Sequence, residues 1–277
     1  MMTPVTLRRL GVNLGLLVLV LGLAGLVWWQ LQQKEQALQS ARVLPLSLSE
    51  VNSVVVERKQ EGIDSKLVLK REGEQWQLVE PQQLAANPVK VRQLFTLLDE
   101  KVESTYPSAG KDLSAYGLNP AELSLSINGH QLVFGQTNPV SNNRYLLNAG
   151  QIQLVNEAVY SLLQEPWVNF VALQLVPDDF QLSAVQLPSG FAELPQLVSN
   201  WKNAEALRID SFDPQKLTAD LPKVVLTGSS GTRELVVVNL KEDIVLADPV
   251  KQLTYVLPIS QAAQLFPAKT SLEPSTK

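Results

Sequence analysis

The stretch Leu123-Ser124-Leu125-Ser126-Ile127-Asn128-Gly129-His130-Gln131-Leu132-Val133-Phe134-Gly135 carries the clearest structural signal in the chain. Leu123 to Ile127 alternates strictly between apolar and polar, the period of a strand with one buried face. Asn128-Gly129 follows, the pair best able to supply the two positive φ angles of a type I′ turn. Gln131 to Phe134 returns as the second strand. Downstream, Arg144–Asn148 and Gln151–Val155 read as a second hairpin about Ala149-Gly150, and Glu157–Leu163 as a short helix. The core of this region is therefore antiparallel sheet.

Working towards the N-terminus, Tyr106–Pro120 reads as a linker. Before it, Pro88 stands where a helix can begin at no hydrogen-bonding cost. Val91, Leu94, Phe95, Leu98 and Val102 then follow at helical spacing, a stripe that packs on a sheet. Earlier still, Val51–Arg58, Ser65–Lys70 and Gln75–Val79 form a meander, with Trp76 and Leu78 on one face and Pro81 at its end.

The second half repeats this plan. Val224–Val238 matches Leu123–Gly135 as strand, turn and strand, and Ile244–Phe266 matches Arg144–Leu163 as hairpin and helix. Leu194–Ile209, with Leu197, Val198, Trp201 and Leu207, occupies the place of the earlier helix. An α+β fold follows: an N-terminal transmembrane helix, then two related units of antiparallel β-sheet with packed amphipathic helices. The first unit spans 46–165, a linker 166–177, the second unit 178–267, and residues 268–277 form a disordered tail.

The membrane helix is Leu10 to Trp29, a run of 20 residues without a charge. At ~1.5 Å per residue it spans the ~30 Å hydrocarbon core of a bilayer. It is longer than the apolar part of a signal peptide and has no small-x-small cleavage site at its end, so it reads as an uncleaved anchor. Trp28 and Trp29 sit at the interface where aromatic residues gather. Gly11, Gly15, Gly22 and Gly25 fall on one stripe, a candidate face for close packing against a second copy of the helix, as a homodimer, or against a membrane partner. Arg8 and Arg9 place residues 1–9 in the cytoplasm and residues 30–277 outside, which in a Gram-negative bacterium means a helix in the inner membrane and sheets in the periplasm. Residues 30–45 form a stalk.

Setting Arg8, Arg9, Lys34, Arg42 and Glu35 aside from the 23 basic and 27 acidic residues leaves residues 43–277 with a net charge of −7. That argues against a nucleic-acid surface, which needs a basic face, and against tight docking on anionic lipid. The chain has no cysteine, as suits an exported domain that folds without disulfides.

No catalytic or cofactor signature is present. His130, the one histidine, follows a turn and has no neighbouring base or metal ligand in sequence. With no cysteine, a zinc site would need carboxylates almost alone. Asp178-Asp179 and Asp210-x-x-Asp213 are paired carboxylates, but each stands beside a proline, where loop and capping duty is the expected role. Neither a phosphate-binding glycine loop nor a serine-hydrolase elbow occurs.

Trp76-x-Leu78-x-x-Pro81, the helix with Val91, Leu94 and Leu98, Asp112-Leu113, Tyr116-Gly117-Leu118-x-Pro120, Phe134-Gly135 and Arg144-Tyr145 together resemble the DUF4340 family. The resemblance covers residues 50–170 best. It implies a bacterial protein with one membrane helix and no assigned activity, in some members encoded beside ABC-transporter subunits. Trp76, Pro81, Tyr116, Gly117, Leu118 and Pro120 carry the motif. Gly117 and Pro120 set loop geometry, while Tyr116 and Leu118 pin the loop to the core. The expected role is a non-enzymatic accessory or scaffolding component of an envelope or ABC-transporter-associated complex. The alternative is a periplasmic sensor that binds a ligand or glycan in a cleft between the units, with Trp167, Trp201 and Arg144 as cleft residues.

Overall fold

The computed structural model describes residues 17, 19–30, 42–60, 63–216 and 220–269. Gly11, Gly15, most of the stalk and nearly all of the tail lie outside the described residues. Residues 19–30 form helix α1, every residue of which is exposed. Among the described residues no helix is long and apolar enough to cross a membrane; the first part of the predicted span falls outside them.

From residue 53 onward the chain is an α+β fold dominated by antiparallel sheet. The first part supplies β1 (Ser53–Gln60), β2 (Ile63–Glu72), β3 (Gln75–Glu80), β4 (Leu84–Ala85), α2 (Pro88–Leu94), β5 (Ser104–Pro107), β6 (Leu123–Ile127), β7 (His130–Thr137), β8 (Arg144–Asn148), β9 (Gln151–Val155) and α3 (Ala158–Leu163). The second supplies β10 (Ala184–Gln186), α4 (Leu197–Lys202), β11 (Arg208–Ser211), β12 (Lys223–Gly228), β13 (Gly231–Leu240), β14 (Asp243–Asp248), β15 (Leu253–Pro258) and α5 (Ala262–Leu265).

Among the described residues the strands make a nine-stranded sheet, ordered β4-β3-β2-β1-β6-β7-β8-β9-β5, and a six-stranded sheet, ordered β10-β12-β13-β14-β15-β11. The six-stranded order reproduces the run β1-β6-β7-β8-β9-β5. In both, a first strand pairs with the opening strand of a four-strand meander. The strand that follows the helix closes the far edge. β2, β3 and β4 are an addition to the first sheet alone, inserted between its first strand and its helix.

The opening hairpin forms as its residues require. Leu123, Leu125 and Ile127 are buried while Ser124 and Ser126 are half-buried. Asn128 and Gly129 take φ angles of 50° and 86°. The Asn128 side chain reinforces the turn by accepting from the backbone N–H of Asn52 and Ser53. Ala149 and Gly150 make the second turn, again at positive φ.

Several expectations are corrected. The helix from Pro88 does not reach Val102: it is α-helical to Leu94 and 3-10 over Phe95–Asp99. Val91, Leu94, Phe95 and Val102 are nonetheless buried; the side chain of Leu98 lies outside those described. Tyr106–Pro120 is not wholly a linker, because Tyr106 and Pro107 belong to β5, which pairs with β9. Leu194–Ile209 is helical only in α4; Leu207 is exposed and Ile209 lies in β11.

Residues 166–177, expected as a linker, run between α3 and β10. Val168, Phe170, Val171, Leu175 and Val176 are buried, so this segment is a packed strap. It bridges to the first sheet through Ala86 and Val171, and to residues preceding β11 through Gln174 and Glu205. Leu175 and Ala206 add backbone hydrogen bonds to Ala204 and Leu173. The strap lies in one hydrophobic cluster with Phe134 and Leu146 of the first sheet and Leu226 and Leu246 of the second.

Candidate functional site

Where the strap passes the first sheet, a groove of about 880 Å³ opens. Its lining comes from residues 72–90, from strap residues 172–177, from Asp178 and Asp179 just after the strap, and from Glu205 and Lys251 of the second part. β4 is short because the chain turns at once into α2. Asn87 caps that helix, its side chain accepting from the N–H of Val89 and Lys90, and Pro88 begins it. The Asn87 N–H donates to the Phe170 carbonyl and the Ala172 N–H to that of Ala85. The start of the helix and the strap are thereby held together along the groove.

Trp76 lines the groove half-buried, its ring 5.3 Å from that of Phe95. Lys251 lies in the β14–β15 turn. Asp248 accepts from the N–H groups of Val250 and Lys251 with one carboxylate oxygen and from Arg233 Nε, at 2.7 Å, with the other. Arg233 Nη1 reaches on to the strap, donating to the Leu175 carbonyl at 2.7 Å. Arg233 Nη2 is buried with no partner among the described residues. Burial, and then the Arg233 charge, push the Lys251 amine below its ordinary range, against the opposing pull of Asp248 and Asp179. Burial pushes the Tyr255 hydroxyl up. No nucleophile stands beside a base in this arrangement. Among the described residues no group of three histidine, cysteine, aspartate or glutamate side chains is placed to hold a metal.

The proposed cleft residues are not brought together there. Trp201 is fully buried, its indole N–H donating to the Leu265 carbonyl. Arg144 is buried in the first sheet, paired with Glu157 and lying 3.3 Å from the Tyr160 ring centre. Trp167 is half-buried against the core. None of the three lines the groove.

Of the paired carboxylates, Asp178 and Asp179 do line it. Asp210 pairs with Arg208 and Asp213 caps the N–H of Gln215. His130 is exposed at the start of β7.

The Tyr-Gly-Leu-x-Pro element lies elsewhere, against β7. The Tyr116 ring meets that of Tyr145 edge-on at 5.0 Å, and Leu118 is buried. Gly117 has φ +68°, and a Cβ there would come within 2.8 Å of the Gln136 N–H nitrogen. Opposite, a Cβ on Gly135 would collide with the Tyr116 carbonyl oxygen. The peptide bonds before Pro81 and Pro120 are cis. In α1, Gly22 and Gly25 have open space around them, and Trp28 and Trp29 are exposed.

A family model described as a domain of unknown function, DUF4340, matches residues 76–254. The chain belongs to the DUF4340 family. The match begins at Trp76 in β3 and ends in β15, so it takes in the strap and strands of both sheets but not β1 and β2, where the motifs alone pointed to the first unit. No curated protein and no solved structure matches the chain. Sequence reasoning missed Lys251, Glu205 and Arg233, and no local motif marks them. The DUF4340 match does contain the groove's lining except for its first residues, Glu72 to Gln75.

Proposed function

We propose that the chain is a non-enzymatic, single-pass protein of the bacterial inner membrane, with its sheets in the periplasm, acting as an accessory or scaffolding component of an envelope or ABC-transporter-associated complex. One observation carries this reading: α1 is apolar and every residue of it is exposed. An apolar helix that packs on none of the other described residues is stable where the solvent is hydrocarbon. Gly11, Gly15, Gly22 and Gly25 would then form its packing face, for a second copy or a membrane partner.

The absence of cysteine makes the topology directly testable. Val140, in the turn before β8, is 91% exposed. A Val140→Cys variant should fractionate with membranes and react in intact cells with a maleimide that reaches the periplasm but not the cytoplasm. Labelling only after lysis, or recovery in the soluble fraction, would overturn the reading. In-cell crosslinking of the full chain should then recover envelope or transporter subunits.

A second reading, a ligand- or glycan-binding sensor, is favoured by the groove itself. Trp76 supplies the aromatic face there, with Gln75, Gln77, Gln83 and Gln174 as polar partners.

A further inference from the structure

The groove has a charge pattern as well as a shape. Glu72, Glu74, Asp178, Asp179 and Glu205 all line it, and each is exposed. Among the described residues none of the five is in an ion pair. Two amines share the lining. Lys90 is held by both oxygens of Glu165. Lys251 stands between Arg233, which repels its charge, and Asp248 and Asp179, which attract it; it makes no salt bridge to the five among the described residues.

Between the carboxylates the lining mixes apolar side chains with the four glutamines. Trp76, Leu84, Val89 and Leu173 contribute the apolar part, and Val89 is 57% exposed. A partly apolar floor with a rim of unpaired carboxylates is complementary to a chain that alternates or intersperses basic and apolar side chains. The long stems of lysine and arginine cover such a floor while their charged ends reach the rim. A neutral glycan would use the tryptophan and the glutamines but leave five carboxylates unanswered.

We propose that the groove receives a basic, extended segment of a partner protein, with Asp178, Asp179 and Glu205 as the recognising carboxylates and Trp76 as the apolar platform. This rests on the reading of the chain as an accessory component, and names the chemistry by which it holds its partner.

The test is a fluorescence-anisotropy titration of the full chain in mild detergent. The probes are a short labelled peptide of alternating lysine and alanine, its glutamate counterpart, and a labelled peptidoglycan-derived oligosaccharide. The lysine peptide should bind saturably and more weakly as salt is raised. The triple variant D178N/D179N/E205Q should weaken it about tenfold, as expected for three rim charges. A control, E57Q/E122Q/E242Q, removes the same charge from exposed positions outside the groove and should leave affinity within about twofold.

Equal losses in the two triple variants would reduce the effect to overall charge and overturn the proposal. So would saturable binding of the oligosaccharide alone, or no saturation by the lysine peptide. If peptide binding fails while crosslinking still recovers partner subunits, the groove is not the contact and the accessory reading stands. If crosslinking recovers nothing as well, both fail.

Discussion

At the scale of single residues, Gly117 shows how a short motif becomes geometry. Its φ of +68° is one that side chains resist, and its Cα faces the backbone of Gln136 too closely to admit a methyl group. Gly135, next to Gln136 in β7, is held as closely against the Tyr116 carbonyl and the Leu118 side chain. The register of β7 on β8 shifts between Phe134 and Thr137, where this contact occurs. Gly117→Ala should therefore lower stability by about 1–3 kcal/mol, read as a shift in the urea midpoint at unchanged m. An unchanged midpoint would show that the loop can lift away from β7 without cost. Tyr116, Gly117, Leu118 and Pro120 were legible as a structural element because the motif is contiguous. Its partner Gln136 was not, because nothing in either segment names the other.

At the scale of elements, the join between α2 and the chain after α3 depends on Glu165. Its carboxylate takes Lys90 Nζ at 2.6 Å, and Asn169 donates to it at 2.9 Å. Arg58 of β1 binds the Leu163 and Glu165 carbonyls beside it. Burial raises the Glu165 pKa, but the hydrogen bonds from Lys90 and Asn169 and the Lys90 charge outweigh it, so the net displacement is downward. A carboxylate with a depressed folded-state pKa stabilises the fold above its unfolded pKa. That contribution is lost as pH falls through the folded value. Acid titration below the ordinary glutamate range should thus weaken the wild-type protein more steeply than Glu165→Gln. At neutral pH the variant should be less stable by about 1 kcal/mol. Parallel acid limbs for the two proteins would remove the pair from the account. The hairpins are the most legible elements, because Leu123–Phe134 and Arg144–Val155 hold their pattern and their turn within a dozen residues. The shortened α2 was less legible: Val102 has the right spacing for a helix but lies buried in the segment that leads into β5.

At the scale of the whole molecule, the strap decides how the two sheets behave. Phe170 is fully buried, Leu175 and Val176 sit in the same cluster as residues of both sheets, and Arg233 ties the strap to β13. Phe170→Ala should cost about 3–5 kcal/mol, as large apolar truncations in packed cores do. It should do so without splitting the transition: tryptophan fluorescence and far-UV circular dichroism should report one coincident unfolding. Two separated transitions, in wild type or variant, would show that the sheets unfold independently and that the strap only connects them.

The sequence by itself determined the local order. Period-2 alternation, Asn-Gly and Ala-Gly turns, and the helix starting at Pro88 are set by neighbours a few residues apart, as is the apolar run from Leu10 to Trp29. The recurrence of the plan in the second half was legible for the same reason. Tertiary structure alone decided that β5 and β11 close the sheet edges, that Val168, Phe170, Val171, Leu175 and Val176 are core, and that a groove lined by exposed carboxylates lies where residues 72–90, 172–179, 205 and 251 meet. Those outcomes depend on burial between segments far apart in the chain. Apolar residues in a linker look alike in sequence whether they face solvent or another element's core, and the difference is settled only when the chain closes on itself.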